Sequence, residues 1–331
     1  MTFKEKILSK VKKTPRRLVL PEGDDIRVLK AAEMIIKEKI TSELYVLGNV
    51  EKLKRTAGIE NININGVKLL DPEESPNLKK YSNQFYVMRK HKGVSPEVAL
   101  ETMKDVVYYG AMMLKMGDVD AMVSGSLTPT AKTVRASLII VQPKEGIQTV
   151  SGSFVMIVPN TEYGNKGQFV YADCGVVPEP TSEQLSDIAI SSAETAKKLL
   201  EVNPVVAFLS FSTMGSGDSM SVKKVRKAVE LLKDKKPDFL FDGELQFDAA
   251  VDSTVAKLKA PSSIAAGKSN VMIFPDLNAG NIAYKITQRL CNAEAYGPLL
   301  QGLSRPVNDL SRGATPEDIL MVSAITIAQS I

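Results

Sequence analysis

Arg17-Leu18-Val19-Leu20-Pro21-Glu22-Gly23-Asp24-Asp25-Ile26-Arg27-Val28-Leu29 is the stretch whose reading decides the fold. Arg17 to Leu20 reads as a short buried strand and Pro21 to Asp25 as a turn. Val28, Leu29, Ala32, Ile35 and Ile36 then recur at helical spacing, with Arg27 in the first turn. The same sequence of strand, loop and helix returns downstream. Glu43 to Leu47 and Val67 to Leu70 read as further strands. Ser95-Pro96-Glu97 starts a helix by cap and first-turn proline, and it continues, with room for a break, through Met113. Asp120 to Gly125 is a strand running into the small-residue loop Ser126-Leu127-Thr128-Pro129-Thr130, and a helix containing Val134, Arg135, Leu138 and Ile139 follows. Alternating strands and helices predict an α/β fold with a mostly parallel sheet covered on its faces. Ligands of such sheets collect at the carboxyl ends of the strands.

The pattern changes near Gly146. Gln148 to Val158 and Gln168 to Asp173 are strand-like, and only a turn-rich connector joins them, which predicts antiparallel pairing and the start of a second domain. Thr181 or Ser182 caps a long helix reaching about Leu200. Val205 to Ser210, Asp238 to Phe241 and Asn270 to Phe274 read as strands, each ending in a polar loop: Phe211 to Gly217, Asp242-Gly243-Glu244 and Pro275 to Gly280. Helices are expected from about Val222, from Phe247 to Leu258 and from Ile282 to Leu290. The 331 residues are too many for one ordinary core and suit two α/β domains.

Composition narrows the chemistry. Apolar content of 44% and charged content of 24% are those of a soluble globular protein. A net charge of +4 permits an anionic substrate without the concentrated basic stripe that nucleic acid needs, and the lack of Trp leaves few stacking platforms. The two cysteines, Cys174 and Cys291, make neither a disulfide framework nor a zinc cluster and suit a reducing cytoplasm. The N-terminus lacks the apolar core of a secretory signal, and no apolar run approaches the length of a membrane span. The one histidine, His91, sits among the cations Arg89, Lys90 and Lys92, where it reads as an anion-site or surface residue and not a base. The chemistry must then rest on Asp/Glu, Ser/Thr, Arg/Lys or a bound cofactor.

Ser124 to Thr130, Ser210 to Gly217 and Asp276 to Gly280 can each present backbone N–H groups and hydroxyls to an anion. Together with Arg27, Arg89, Arg135 and Arg312 they point to a ligand with several phosphates, since Arg pairs bidentately with phosphate. Ala266-Gly267-Lys268-Ser269 resembles the end of a P-loop, but Ser262 stands where the motif requires glycine and a strand follows instead of preceding it. Near the C-terminus, Thr315 and Pro316 read as an N-cap and first helical residue, with Asp318 at capping-box spacing. Ser311 and Arg312 stand just before that helix start, where anions are favoured.

Pro306 to Gly313, Ser210-Phe211-Ser212-Thr213, Asp242 to Gln246 and Ile273 to Asn278 resemble the signatures of the phosphate acetyltransferase (phosphotransacetylase) family. So do Asp25-Ile26-Arg27, Arg89 to Gly93 and Glu294 to Pro298, in the family's order over essentially the whole chain. The resemblance implies reversible acetyl transfer between coenzyme A and inorganic phosphate, in acetate metabolism, by a cytoplasmic homodimer with no tightly bound cofactor. It implies two α/β/α domains with a cleft between them, of isocitrate/isopropylmalate dehydrogenase-like architecture. The first would comprise residues 1–146 and 299–331, the second residues 147–298. Residue by residue, it casts Asp318 as general base for the thiol, Arg312 as the cation that meets developing charge and Ser311 as the hydroxyl beside it. It casts Arg27 as holding the coenzyme's 3′-phosphate and Arg89 and Arg135 as further substrate-binding arginines. Ser126, Thr128 and Thr130 are expected to bind substrate from the first small-residue loop. Thr161, Ala279 and Ala314 stand where some members carry cysteine, so no acetyl-cysteine forms at those places.

Without an activated nucleophile, direct attack of the thiolate on acetyl phosphate in a ternary complex is the expected route. A thiol near ~8.5 and an ordinary aspartate near ~3.9 differ by about 4.6 units, roughly 6 kcal/mol uphill. Capping holds a carboxylate in its charged form, so a cap and a strong base are opposed roles for Asp318. A phosphate butyryl- or propionyltransferase and a non-catalytic coenzyme A-binding protein are the alternatives.

Overall fold

An apolar run buried on both faces is what a central parallel strand requires, and Leu18, Val19 and Leu20 are at most 1% exposed. The computed structural model describes all residues, 1–331. Residues 1–142 and 303–331 form one unit and residues 143–302 another, boundaries a few residues away from those expected.

The first unit opens with α1 (Phe3–Lys13), whose Phe3, Ile7 and Val11 are buried at helical spacing. There follow β1 (Arg16–Leu20), α2 (Ile26–Glu38), β2 (Thr41–Leu47), α3 (Val50–Ile59), β3 (Val67–Leu70), α4 (Leu78–Arg89), α5 (Pro96–Lys104), α6 (Val106–Met116), β4 (Ala121–Ser124) and α7 (Thr130–Ala136). The helix expected from Ser95 breaks at Asp105, whose carboxylate accepts from the N–H groups of Val107 and Tyr108 and caps α6. The helix after Thr130 ends as α7 and continues as a π turn, Ser137–Val141.

The second unit contains β5 (Ser151–Ile157), β6 (Gln168–Ala172), α8 (Ser182–Thr195), β7 (Val205–Leu209), α9 (Met220–Asp234), β8 (Leu240–Leu245), α10 (Phe247–Val251), α11 (Ser253–Lys259), β9 (Val271–Ile273), α12 (Leu277–Leu290) and β10 (Glu294–Gln301). Three expectations are corrected here. Asp242-Gly243-Glu244 is not a loop but part of β8, where a side chain on Gly243 would strike Phe208 of the neighbouring β7. The helix from Phe247 is two, because Asp252 ends α10 and caps α11. Residues 277–280 are helical, because Asp276 accepts from the Ala279 N–H and starts α12 earlier than expected. The chain returns to the first unit as β11 (Val307–Asp309) and α13 (Pro316–Gln329).

The first sheet has the order β11-β4-β1-β2-β3 with every pair parallel. The second has the order β10-β5-β6-β9-β7-β8; β5 pairs antiparallel with β6 and with β10, and the remaining pairs are parallel. In the first unit the loops after β1, β4 and β11 leave the carboxyl ends of three adjacent strands, the place where parallel sheets hold ligands.

Candidate active site

The loop after β4 is already filled by an anion of the chain itself. Glu22, 5% exposed, leaves the end of β1 and accepts on Oε2 from the N–H groups of Gly125 (2.6 Å) and Ser126 (2.8 Å) and from the Ser126 hydroxyl (3.1 Å). Its Oε1 accepts from the N–H groups of Leu127 (3.0 Å) and Thr128 (2.6 Å). Gly125, at φ +109°, is the residue that lets the backbone turn its N–H groups inward. The expectation that this loop presents its N–H groups and Ser126 to an outside anion is therefore corrected. Of the three residues named there, Thr130 donates its hydroxyl to Asp309, and only the Thr128 hydroxyl has no protein partner.

Arg27 is likewise engaged inside the protein. Its Nε donates to Asp25 Oδ1 (3.0 Å) and its Nη2 to Asp25 Oδ2 (2.6 Å) and the Ser126 carbonyl (3.0 Å). Its Nη1 donates to the carbonyls of Arg312 and Ala314, both at 2.8 Å. A guanidinium has five N–H donors, and these bonds use all of them. Burial pushes the Asp25 carboxyl up, but the Arg27 side chain and N–H prevail and hold it below its ordinary value. The expected grip of Arg27 on a phosphate is thus replaced by a clamp joining the loop after β4 to the loop after β11.

That clamped segment is where donors stay open. The Leu310 N–H donates to the Ser124 carbonyl (2.7 Å), and the Ala314 N–H closes a turn on Ser311 (2.9 Å). Ser311 and Arg312 are exposed, and the Arg312 guanidinium has no hydrogen bond or ion pair with the protein. The capping box read from the sequence is formed: Asp318 Oδ2 accepts from the N–H and hydroxyl of Thr315, both at 2.9 Å, and the Asp318 N–H donates to Thr315 Oγ1 at 3.1 Å. Arg89, half-buried at the end of α4, and Arg135, exposed on α7, also have open guanidinium groups. No hydrogen bond ties either to the clamped loops. His91 is exposed in a single turn after α4.

The second unit repeats the filled arrangement. Glu244, on β8, accepts from Arg226 Nε and Nη2 (both 2.9 Å), the Gly215 N–H (2.9 Å) and the Ser212 hydroxyl (2.8 Å). Burial raises this carboxyl, yet Arg226, the Gly215 N–H and Ser212 outweigh it and hold it down at about 2. No group of three or more His, Cys, Asp and Glu side chains is placed to hold a metal ion.

Residues 2–327 match the family model described as "Phosphate acetyl/butaryl transferase". The chain belongs to this family. It is 51% identical over 330 residues to a phosphate acetyltransferase of Acetivibrio thermocellus, covering all of this chain and 98% of that one. It is 48% identical over 330 residues to a phosphate acetyltransferase of Clostridium acetobutylicum, covering all of this chain and 99% of the other. Among solved structures, a phosphotransacetylase from Streptococcus pyogenes superposes with a TM-score of 0.93 at 41% identity, over all of this chain and 99% of that chain.

Within this member of the family, sequence reasoning missed Glu22 and Asp309. Asp309 ends β11, paired in register with Ser124 of β4, and is 2% exposed. Its Oδ2 accepts from Thr130 Oγ1 at 2.5 Å, while Oδ1 is buried without a partner. Burial pushes this carboxyl up to about 6; the Thr130 and Thr133 hydroxyls oppose the shift and the charge of Glu22 adds to it. The sequence signals are position, Glu22 just after β1 and Asp309 at the end of β11, and for Asp309 its place within the Pro306 to Gly313 signature.

Proposed function

We propose that this protein transfers an acetyl group reversibly between coenzyme A and inorganic phosphate, interconverting acetyl-CoA and phosphate with acetyl phosphate and free coenzyme A. The observation that carries the reading is the open Arg312 guanidinium beside Ser311 at the start of α13. Attack of a thiolate on acetyl phosphate develops negative charge on the carbonyl oxygen. A cation and a hydroxyl held ready for it act before any solvent reorganises. The thiolate attacks directly within a ternary complex. Arg89 and Arg135, with open guanidinium groups, are the substrate-binding arginines of this reading, and Thr128 adds a free hydroxyl. Asp318, the base for the thiol in this reading, also caps the helix start behind Arg312, with one carboxylate oxygen held by Thr315.

Coenzyme A is a substrate in this account and no cofactor is tightly bound. No helix is long and apolar enough to cross a membrane, and the reading places the enzyme in the cytoplasm. Ile282, Ile286 and Leu290 leave an apolar stripe on α12, 56%, 52% and 78% exposed, which supports a homodimer. The kinship with isocitrate and isopropylmalate dehydrogenase architecture belongs to the same proposal.

The test is thioester formation from acetyl phosphate and coenzyme A, followed by absorbance, with both substrates varied on a preparation whose mass is checked by sedimentation. Intersecting initial-rate lines from a dimer are expected. Parallel lines with a trappable acetyl-enzyme would refute the direct route, and absence of thioester would refute the activity.

A further inference from the structure

We infer that Leu127 limits the length of the acyl chain, so that the enzyme takes the acetyl group and turns propionyl and butyryl groups away, an inference that rests on the transfer reading above and narrows its substrate. An acyl phosphate offers three parts to recognise. Its phosphate calls for cations, and its carbonyl oxygen for the hydroxyl and cation of Ser311 and Arg312. What remains is a methyl group or a longer alkyl chain, and only apolar surface gains by covering it.

The three loops at the carboxyl ends of β1, β4 and β11 offer little such surface. Pro21, Leu310 and Ala314 are buried. Leu127, in the loop after β4, is 52% exposed, and the Pro129 ring beside it is the one other apolar side chain that these loops present. The remaining exposed large hydrophobics of the first unit, such as Ile59, Val87 and Val98, lie on its helices and termini.

Strand register puts Leu127 beside the open cation. Ser124 of β4 pairs with Asp309 of β11, and Leu127 and Arg312 each stand three residues beyond that pair. The loops stay together past the strands. The Leu310 N–H donates to the Ser124 carbonyl, and a Cβ on Gly125 would lie 2.7 Å from the Leu310 nitrogen. One guanidinium, that of Arg27, binds both the Ser126 carbonyl, part of the peptide bond leading into Leu127, and the Arg312 carbonyl. An alkyl chain starts one bond from the carbonyl whose charge Arg312 meets, so it starts within reach of this side chain.

A wall selects by size only if it cannot retreat. Glu22 accepts from the N–H groups of Leu127 (3.0 Å) and Thr128 (2.6 Å) as well as those of Gly125 and Ser126. Four consecutive backbone groups are thereby fixed on one buried carboxylate, and the Leu127 side chain is left outward on an anchored loop. One methylene more or less against an apolar wall is worth about 10- to 200-fold in kcat/KM.

The experiment measures kcat/KM for acetyl, propionyl and butyryl phosphate with coenzyme A, by thioester absorbance, on the full chain and on Leu127→Ala, Leu127→Phe and, as a control on α5, Val98→Ala. The unaltered enzyme should favour acetyl over butyryl phosphate by about tenfold or more. Leu127→Ala should raise the butyryl-to-acetyl ratio by about tenfold or more, and Leu127→Phe should lower the propionyl-to-acetyl ratio by a similar factor. Val98→Ala should leave both ratios unchanged. If Leu127→Phe fails to fold by circular dichroism, Leu127→Ala decides alone. A smaller shift in Leu127→Ala, a loss shared equally by all three acyl phosphates, or a change confined to the KM for coenzyme A overturns the inference while the transfer reading stands. So does an unaltered enzyme that takes butyryl phosphate as readily as acetyl phosphate. No thioester from any of the three overturns both.

Discussion

Arg27 and Arg312 meet through a hydrogen bond from one guanidinium to the other's carbonyl, yet their side chains are in opposite chemical states. All five donors of Arg27 are engaged inside the protein, and none of Arg312's are. The loops around them differ in the same way. The loop after β4 is closed on Glu22, and its counterpart at Ser212 to Gly215 is closed on Glu244. In the segment from Ser311 to Asp318 the Arg312 guanidinium remains open. A small-residue loop with inward N–H groups is an anion receptor, but a carboxylate of the same chain can be the anion. Donors without an internal partner, and not glycine-rich wording, mark where a substrate is met.

The widest test of this contrast is Arg312→Ala. It should lower kcat about 10²- to 10³-fold, the effect of removing a donor that meets developing charge. Its urea midpoint should hardly move, because an exposed side chain without partners contributes little to stability. Arg27→Met should show the opposite pattern. It leaves Asp25, with a side chain 5% exposed, without its cation, and stability measured in urea should fall by ~3 kcal/mol. A raised KM for coenzyme A at unchanged stability would restore the phosphate contact expected from the sequence.

The smallest effect concerns the filled loop of the second unit. Glu244 is lowered from 4.5 to about 2 on folding, so its contribution is present above 4.5 and is lost as pH falls through 2. Glu244→Gln should remove that stretch of acid sensitivity and destabilise the protein by ~1–2 kcal/mol at neutral pH, read from urea midpoints across pH. Asp309 runs the other way. Raised to about 6, it favours the folded state below its ordinary value and loses that contribution as pH rises through 6.

Much of the frame was legible because its signals are local. The strand and helix of 17–36, the cap and proline at Ser95-Pro96 and the capping box of Thr315 and Asp318 all appear in the structure. β11 has only three residues, too few for a periodic pattern, and α13 is buried along most of its length, so it shows no amphipathic stripe. Open Arg312 and exposed Ser311 could be singled out by residue type and place, but their openness could not. For Arg27 and Ser126 the residue types suggested a ligand, and partners distant in the chain decided otherwise.

By itself, the sequence determined where helices start, where strands run and which family signatures the chain carries, because caps, turns and periodicity act over a few residues. Tertiary structure alone decided which anion receptors are filled and which donors stay free. Glu22 reaches Ser126 only because β1 and β4 are adjacent, and Asp309 reaches Thr130 only because β11 returns to the edge of the same sheet. Electrostatic partnership depends on distance in space, and parallel strands bring together residues whose separation in the chain carries no such information.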